Sequence, residues 1–302
     1  MRTYLGTWQT SPSDGFWTDQ DPFASEAVIS CAVRLGIRGF DTARSYGKGR
    51  AEQTLSKVLR RFPDESFLVD TKIMPSVKDP AEILQASLSR LAPLKVDCLY
   101  LHWPKSGFDN LAFLRKMEAL KEGGQIRKLG VCNIPPDMLK SFVSSGLCID
   151  RIQRPVSLLW TRELAETMEF CRANGIEVAA YSPSGMGLLS GKYRVAEDLC
   201  DARASLFCFH EKCIGAYHDL LDLVRETAEN NGTNCTDVAL YWTKMQNPDI
   251  VILGARTAEQ LEQNLSPTLC LTETELSDLS RAAAALDRAS LDVCDNIFSY
   301  RW

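Results

Sequence analysis

Short apolar, β-rich runs alternate along most of the chain with stretches whose apolar positions recur every three or four residues. The first kind, bounded by turn residues, predicts strands; the second predicts helices. Strands are expected over residues 4–8, 37–41, 67–72, 96–102, 126–131, 151–154, 176–181 and 249–253. Helical periodicity follows each, over 23–35, 50–61, 80–91, 111–123, 135–145, 164–174, 236–246 and 257–265, with a final helix over 273–286. Residues 182–203 are Gly-rich at first and irregular, and a helical pattern then runs to about residue 229. Strict alternation implies parallel strands joined by helical crossovers, and continuously apolar strands imply burial on both faces. Eight such units close a barrel. An open doubly wound sheet would carry a GxGxxG turn after its first strand. The nearest match, Gly185-Met186-Gly187-Leu188-Leu189-Ser190-Gly191, stands late in the chain with the wrong spacing. The expected fold is therefore α/β, a single-domain (β/α)8 barrel over 1–302 with a short C-terminal tail.

Composition narrows the function. The 302 residues are 45% hydrophobic and 24% charged, enough for a chain of this size to bury roughly 75% of its unfolded surface. A net charge of −5 without a basic block argues against nucleic acid or an anionic membrane as the main partner. No apolar run reaches the ~18 residues of a membrane span, and the N-terminus has no signal-peptide apolar core. A cytoplasmic location is expected. The eleven cysteines, an odd number without a CxxC pair, fit reduced structural thiols. Cys208-Phe209-His210-Glu211-Lys212-Cys213 approaches metal spacing, but no second ligand pair stands near, so no metal is expected. The glycosylation acceptors at Asn231 and Asn234 read as chance matches. The pattern leaves the oligomeric state open and is compatible with a monomer.

Four residues carry the candidate chemistry. Asp41, Lys72 and His102 end the second, third and fourth predicted strands, and Tyr46 lies on the loop after Asp41. In a parallel barrel all strand C-termini share one face, where active sites sit. A phenol is a weak acid, with a pKa of about 10; a nearby lysine ammonium lowers that value, and Asp41 would hold the ammonium in place. Tyr46 then serves as general acid to a developing alkoxide, while His102 orients the carbonyl. No side chain supplies a hydride, so a cofactor must.

The run Gly39-Phe40-Asp41-Thr42-Ala43-Arg44-Ser45-Tyr46-Gly47 resembles the signature of the aldo-keto reductases. Thr71-Lys72, Asp97–His102-Trp103-Pro104, Lys128-Leu129-Gly130-Val131-Cys132-Asn133, Tyr181-Ser182-Pro183, Gly187–Tyr193 and Leu253–Asn264 follow in that family's order. The resemblance implies an NADP(H)-dependent reductase acting on a small-molecule carbonyl, with Tyr46, Asp41, Lys72 and His102 catalytic. It implies further that Asn133 and Gln153, with Cys132 where the family usually has Ser, meet the nicotinamide carboxamide, and that Tyr181 stacks on the ring. Ser182, Pro183, Leu188, Gly191, Lys192 and Arg203 would line the pyrophosphate; Gly254, Arg256, Gln260 and Asn264 would hold the adenosine end. Arg256, at a helix entrance, suits a 2′-phosphate and favours NADP over NAD. Trp8, Phe16, Trp17, Trp103 and Trp160 fall near the same face, as a substrate wall or as packing. Two rival readings are a Schiff-base lyase using Lys72 and a redox-sensing NADPH-binding protein like the potassium-channel β subunits.

Overall fold

Eight parallel strands close into a barrel in chain order, each pairing with its neighbours and the last with the first. The computed structural model describes residues 1–13, 15–265 and 269–298. The order is β1 (Arg2–Gly6), α1 (Pro22–Arg34), β2 (Gly39–Asp41), α2 (Arg50–Leu59), β3 (Leu68–Ile73), α3 (Pro80–Leu91), β4 (Val96–Leu101) and α4 (Asn110–Glu122). It continues with β5 (Lys128–Cys132), α5 (Pro136–Ser144), β6 (Arg151–Pro155), α6 (Leu164–Asn174), β7 (Glu177–Tyr181), α7 (Ile214–Asn230), α8 (Cys235–Met245), β8 (Ile250–Leu253), α9 (Ala258–Leu265) and α10 (Glu273–Ser290). Side-chain caps start several helices: Asp21, Asp79 and Asp109 accept backbone N–H groups of α1, α3 and α4, the first two just before a proline. Thr272 and Glu275 form a capping box at α10. Among the described residues, no helix is long and apolar enough to cross a membrane.

Several element ends shift from the periodicity by a few residues, and two differences change the local structure. The first strand stops at Gly6, because Trp8–Thr10 turns into a 3₁₀ helix closed by Thr10 N–H on the Thr7 carbonyl. The helical pattern before residue 214 is a chain of 3₁₀ turns instead, interrupted by extended backbone at Leu206 and His210.

Side chains alternate along each strand between the helix layer and the barrel interior. Leu5, Phe40, Val69, Leu99, Val131, Ile152 and Val178 pack outward against the helices. The inward set mixes charge with apolar side chains: Asp41, Asp70, Lys72, Arg151 and Gln153 are all buried, alongside Tyr4, Tyr100, Ala179, Ile250 and Ile252. Continuous burial was legible in the sequence, but the charge of the inner face is a tertiary fact. Glycines beside large rings fit this interior together. Tyr4 pairs with Gly39 across β1 and β2, and Tyr100 with Gly130 across β4 and β5. A Cβ would fall 2.1 Å from the Tyr4 ring at Gly39 and 2.4 Å from the Tyr100 ring at Gly130.

At the N-terminal end of the barrel, Arg151 is fully buried and donates to Asp70 at 2.6 Å and to Glu177 at 2.7 Å. Glu177 also accepts from Lys128 and Arg2, each at 2.6 Å. Three strands are thereby tied to β7.

Candidate active site

The C-terminal strand ends open into a cavity of about 1070 Å³. Asp41, the last residue of β2, and Lys72, near the end of β3, point inward from adjacent strands. Lys72 Nζ donates to Asp41 Oδ2 at 2.6 Å and to the Thr42 carbonyl at 2.9 Å, and lies 3.3 Å from the Tyr46 hydroxyl. Gln153 Nε2 donates to the other Asp41 oxygen at 2.7 Å. Burial is the largest single influence and opposes the charge on Lys72, but Asp41, with Tyr46 and Cys132 adding to it, holds the ammonium protonated above the usual lysine range. A protonated, fully buried amine cannot act as a Schiff-base nucleophile.

The expectation that Lys72 brings the Tyr46 phenol down is corrected in its net direction. Burial pushes the phenol up, Asp41 adds to the rise, and Lys72 offsets only part of it. His102 follows β4, and its ring meets Tyr46 edge-on at 5.7 Å. Burial, helped by Lys72, keeps the imidazole neutral, well below its ordinary value. Its Nδ1 lies 3.4 Å from Ser45 Oγ.

Next to this end, Asn133 Nδ2 donates to the His102 carbonyl and to Cys132 Sγ, both at 3.0 Å, while its Oδ1 accepts from Tyr181 at 2.6 Å. Asn133 and Ser182 have φ of +57° and +51°. Non-glycine residues held there are strained, and such strain gathers at functional sites. Further along the cavity come Pro183, Lys192 and Arg203, then Gly254, Arg256, Gln260 and Asn264. Arg203 is heavily committed. It donates to Asp201 at 2.9 Å and to the Met186 carbonyl at 3.1 Å, with Trp17 and Tyr193 rings at 4.7 and 5.2 Å. Ala202 N–H donates to the Gly15 carbonyl at 3.1 Å, so the loop after β1 and the loop after β7 meet beside it.

Two expected contacts are not on the cavity wall. The Leu188 side chain is fully buried in the outer core, and Gly191 faces Cys235. Of the aromatic residues, Trp8, Phe16, Trp17 and Trp103 line the cavity, whereas Trp160 packs on Phe207 in the core. Sequence reasoning missed Phe298, which reaches in from the tail and meets Trp8 at 5.6 Å and Trp103 at 5.7 Å. It also missed Gln9, Tyr193, Asn234 and Asp237. Only Asn234 carried a local signal: it caps α8 by accepting from Asp237 N–H at 3.0 Å.

The donor set suits a nicotinamide dinucleotide. Amide side chains and a flat Tyr181 ring stand beside the Tyr46 end, cations sit midway, and Arg256 closes the far end at the start of α9. Comparison with known proteins agrees. A family model described as the Aldo/keto reductase family matches residues 3–283. The NADH-specific methylglyoxal reductase of Escherichia coli is 28% identical over 95% of this chain and 96% of its own. The D-galacturonate reductase of Fragaria ananassa is 29% identical over 90% and 86%. The solved structure of a glycerol dehydrogenase from Gluconobacter oxydans superposes with a TM-score of 0.77 at 26% identity, covering 94% of this chain and 91% of that one.

Proposed function

This chain belongs to the aldo/keto reductase family, and from that premise we propose that it reduces an aldehyde or ketone to an alcohol with NADP(H), using Tyr46 as the general acid. The observation that carries the reading is the Asp41–Lys72–Tyr46 chain, with contacts of 2.6 and 3.3 Å at the inner end of the cavity. The bound nucleotide supplies the hydride. The residues handle the proton and the geometry. A phenol raised by burial holds its proton at neutral pH, so Tyr46 meets the carbonyl oxygen as an acid. Once the proton leaves, the adjacent ammonium stabilises the phenolate. His102 is held neutral, and in the tautomer whose Nδ1 faces the Ser45 hydroxyl as an acceptor its proton sits on Nε2, where it would orient the carbonyl oxygen. Trp8, Phe16, Trp103 and Phe298 favour a substrate with an apolar or ring face and exclude water from it.

The preference for NADP(H) rests on Arg256, whose guanidinium matches a 2′-phosphate. The Escherichia coli relative is NADH-specific, so the family alone does not decide the nucleotide. Tyr46→Phe should lower turnover on a panel of aldehydes and ketones by about 10²–10⁴-fold. Binding of NADPH, read by quenching of tryptophan fluorescence, should stay unchanged. Wild-type turnover in the Phe variant would remove Tyr46 from the acid role.

A further inference from the structure

Asp19 and Gln20 lie on the loop between β1 and α1, more than two hundred positions before Arg256, yet both hold its guanidinium. Gln20 Oε1 accepts from Arg256 Nε at 2.9 Å, and Gln20 Nε2 donates to the Arg256 carbonyl at 3.1 Å. Gln20 is only 8% exposed and donates again to Ser25 Oγ at 3.2 Å, so the frame that aims Arg256 is anchored to α1. Asp19 Oδ1 lies 3.0 Å from Arg256 Nη2. This pair is wet: the Asp19 side chain is 56% exposed and that of Arg256 31%. Ion pairs of this kind are weak and exchange for a stronger anion.

The two roles of Arg256 therefore conflict. The nitrogen that pairs with Asp19 belongs to the group that would grip a 2′-phosphate. A phosphate monoester carries more charge than a carboxylate, so it can take the guanidinium, but only by displacing Asp19 and then sitting beside it. A nucleotide without that phosphate presents ribose hydroxyls, and a carboxylate is their natural acceptor. We propose that Asp19 is a specificity-determining residue that competes with the 2′-phosphate of NADP(H) for Arg256 and accepts from the ribose of NAD(H), so that the protein binds both nucleotides. The inference rests on the reading of Arg256 as the adenosine-end anchor.

The test is fluorescence titration of wild type, Asp19→Asn, Arg256→Ala and the double variant with NADPH and with NADH. Asp19→Asn removes one charge from an exposed site with almost no change in shape. It should tighten NADPH about fivefold, the scale of an exposed ion pair, and weaken NADH about threefold through one poorer acceptor. In the Arg256→Ala background most of the tightening should vanish, leaving only the direct repulsion between Asp19 and the phosphate, because the competition runs through that side chain. If Asp19→Asn leaves the NADPH-to-NADH ratio unchanged while Arg256→Ala still weakens NADPH, Asp19 does not discriminate and the proposal falls alone. If Arg256→Ala leaves NADPH binding unchanged, or wild type binds neither nucleotide, the cofactor reading falls and takes this proposal with it.

Discussion

Lys72 shows how little freedom a single residue has here. Its ammonium is fully buried, and its charge is balanced by Asp41. Removing one member of a buried pair leaves an uncompensated charge, which costs about 3–5 kcal/mol. Lys72→Met should therefore lower the urea midpoint by a corresponding amount, as well as abolish turnover. A loss below about 1 kcal/mol would mean that water or a repacked neighbour takes the place of the ammonium beside Asp41. Asn133 and Ser182 illustrate the opposite case, in which the backbone bears the strain and the side chains are thereby aimed at one cavity end.

At the scale of elements, the barrel interior depends on ring-against-glycine fits across neighbouring strands. Gly39→Ala and Gly130→Ala should each destabilise by about 1–3 kcal/mol, since the Tyr4 and Tyr100 rings have no room to retreat in a packed interior. Gly215 in α7 offers the control: a Cβ there meets nothing within 4 Å, so Gly215→Ala should be neutral or stabilising by up to about 1 kcal/mol in the same unfolding experiment. The junction of the loops after β1 and β7 makes a second prediction. Arg203 bridges Trp17, Tyr193, Asp201 and Met186, and the neighbouring Ala202 amide is bonded to Gly15. Arg203→Ala should speed hydrogen exchange at the Ala202 amide by at least about tenfold, while β-strand amides keep their protection. Unchanged exchange at Ala202 would show that the two loops hold together without the guanidinium.

For the molecule as a whole, the ion cluster around Glu177 joins β1, β5, β6 and β7 and should set the response to acid. Burial would raise the Glu177 carboxyl, but Lys128 and Arg151 overcome it and bring it down to about 2. A depressed carboxyl stabilises the fold above its unfolded value of about 4.3, and that contribution is lost as pH falls through the folded value. Between about pH 4.5 and 2 the unfolded chain binds more protons, so stability should drop, by about 1–2 kcal/mol from this group once solvent screening of the partly exposed cluster is allowed for. Glu177→Gln should be less stable at pH 7 but show a flatter slope of unfolding free energy across that window. A slope equal to wild type would assign the acid response to other carboxylates.

What the chain itself determined is whatever depends on short range. The alternation of strand and helix requires parallel pairing and closure at eight units, and the positions of Asp41, Lys72 and His102 at strand ends follow from that register. Burial along each strand was likewise local, because period-two alternation and apolar runs are properties of neighbouring residues. What only the tertiary structure decided involves residues far apart in the chain. Phe298 reaches the cavity from the tail, Trp160 turns away into the core, and Asp19 with Gln20 holds Arg256 across more than two hundred positions. The net rise of the Tyr46 phenol is also of this kind, since it balances burial against two charges brought together by closure of the barrel. Such terms depend on distance and dielectric, and neither is written in the spacing of residues along a chain.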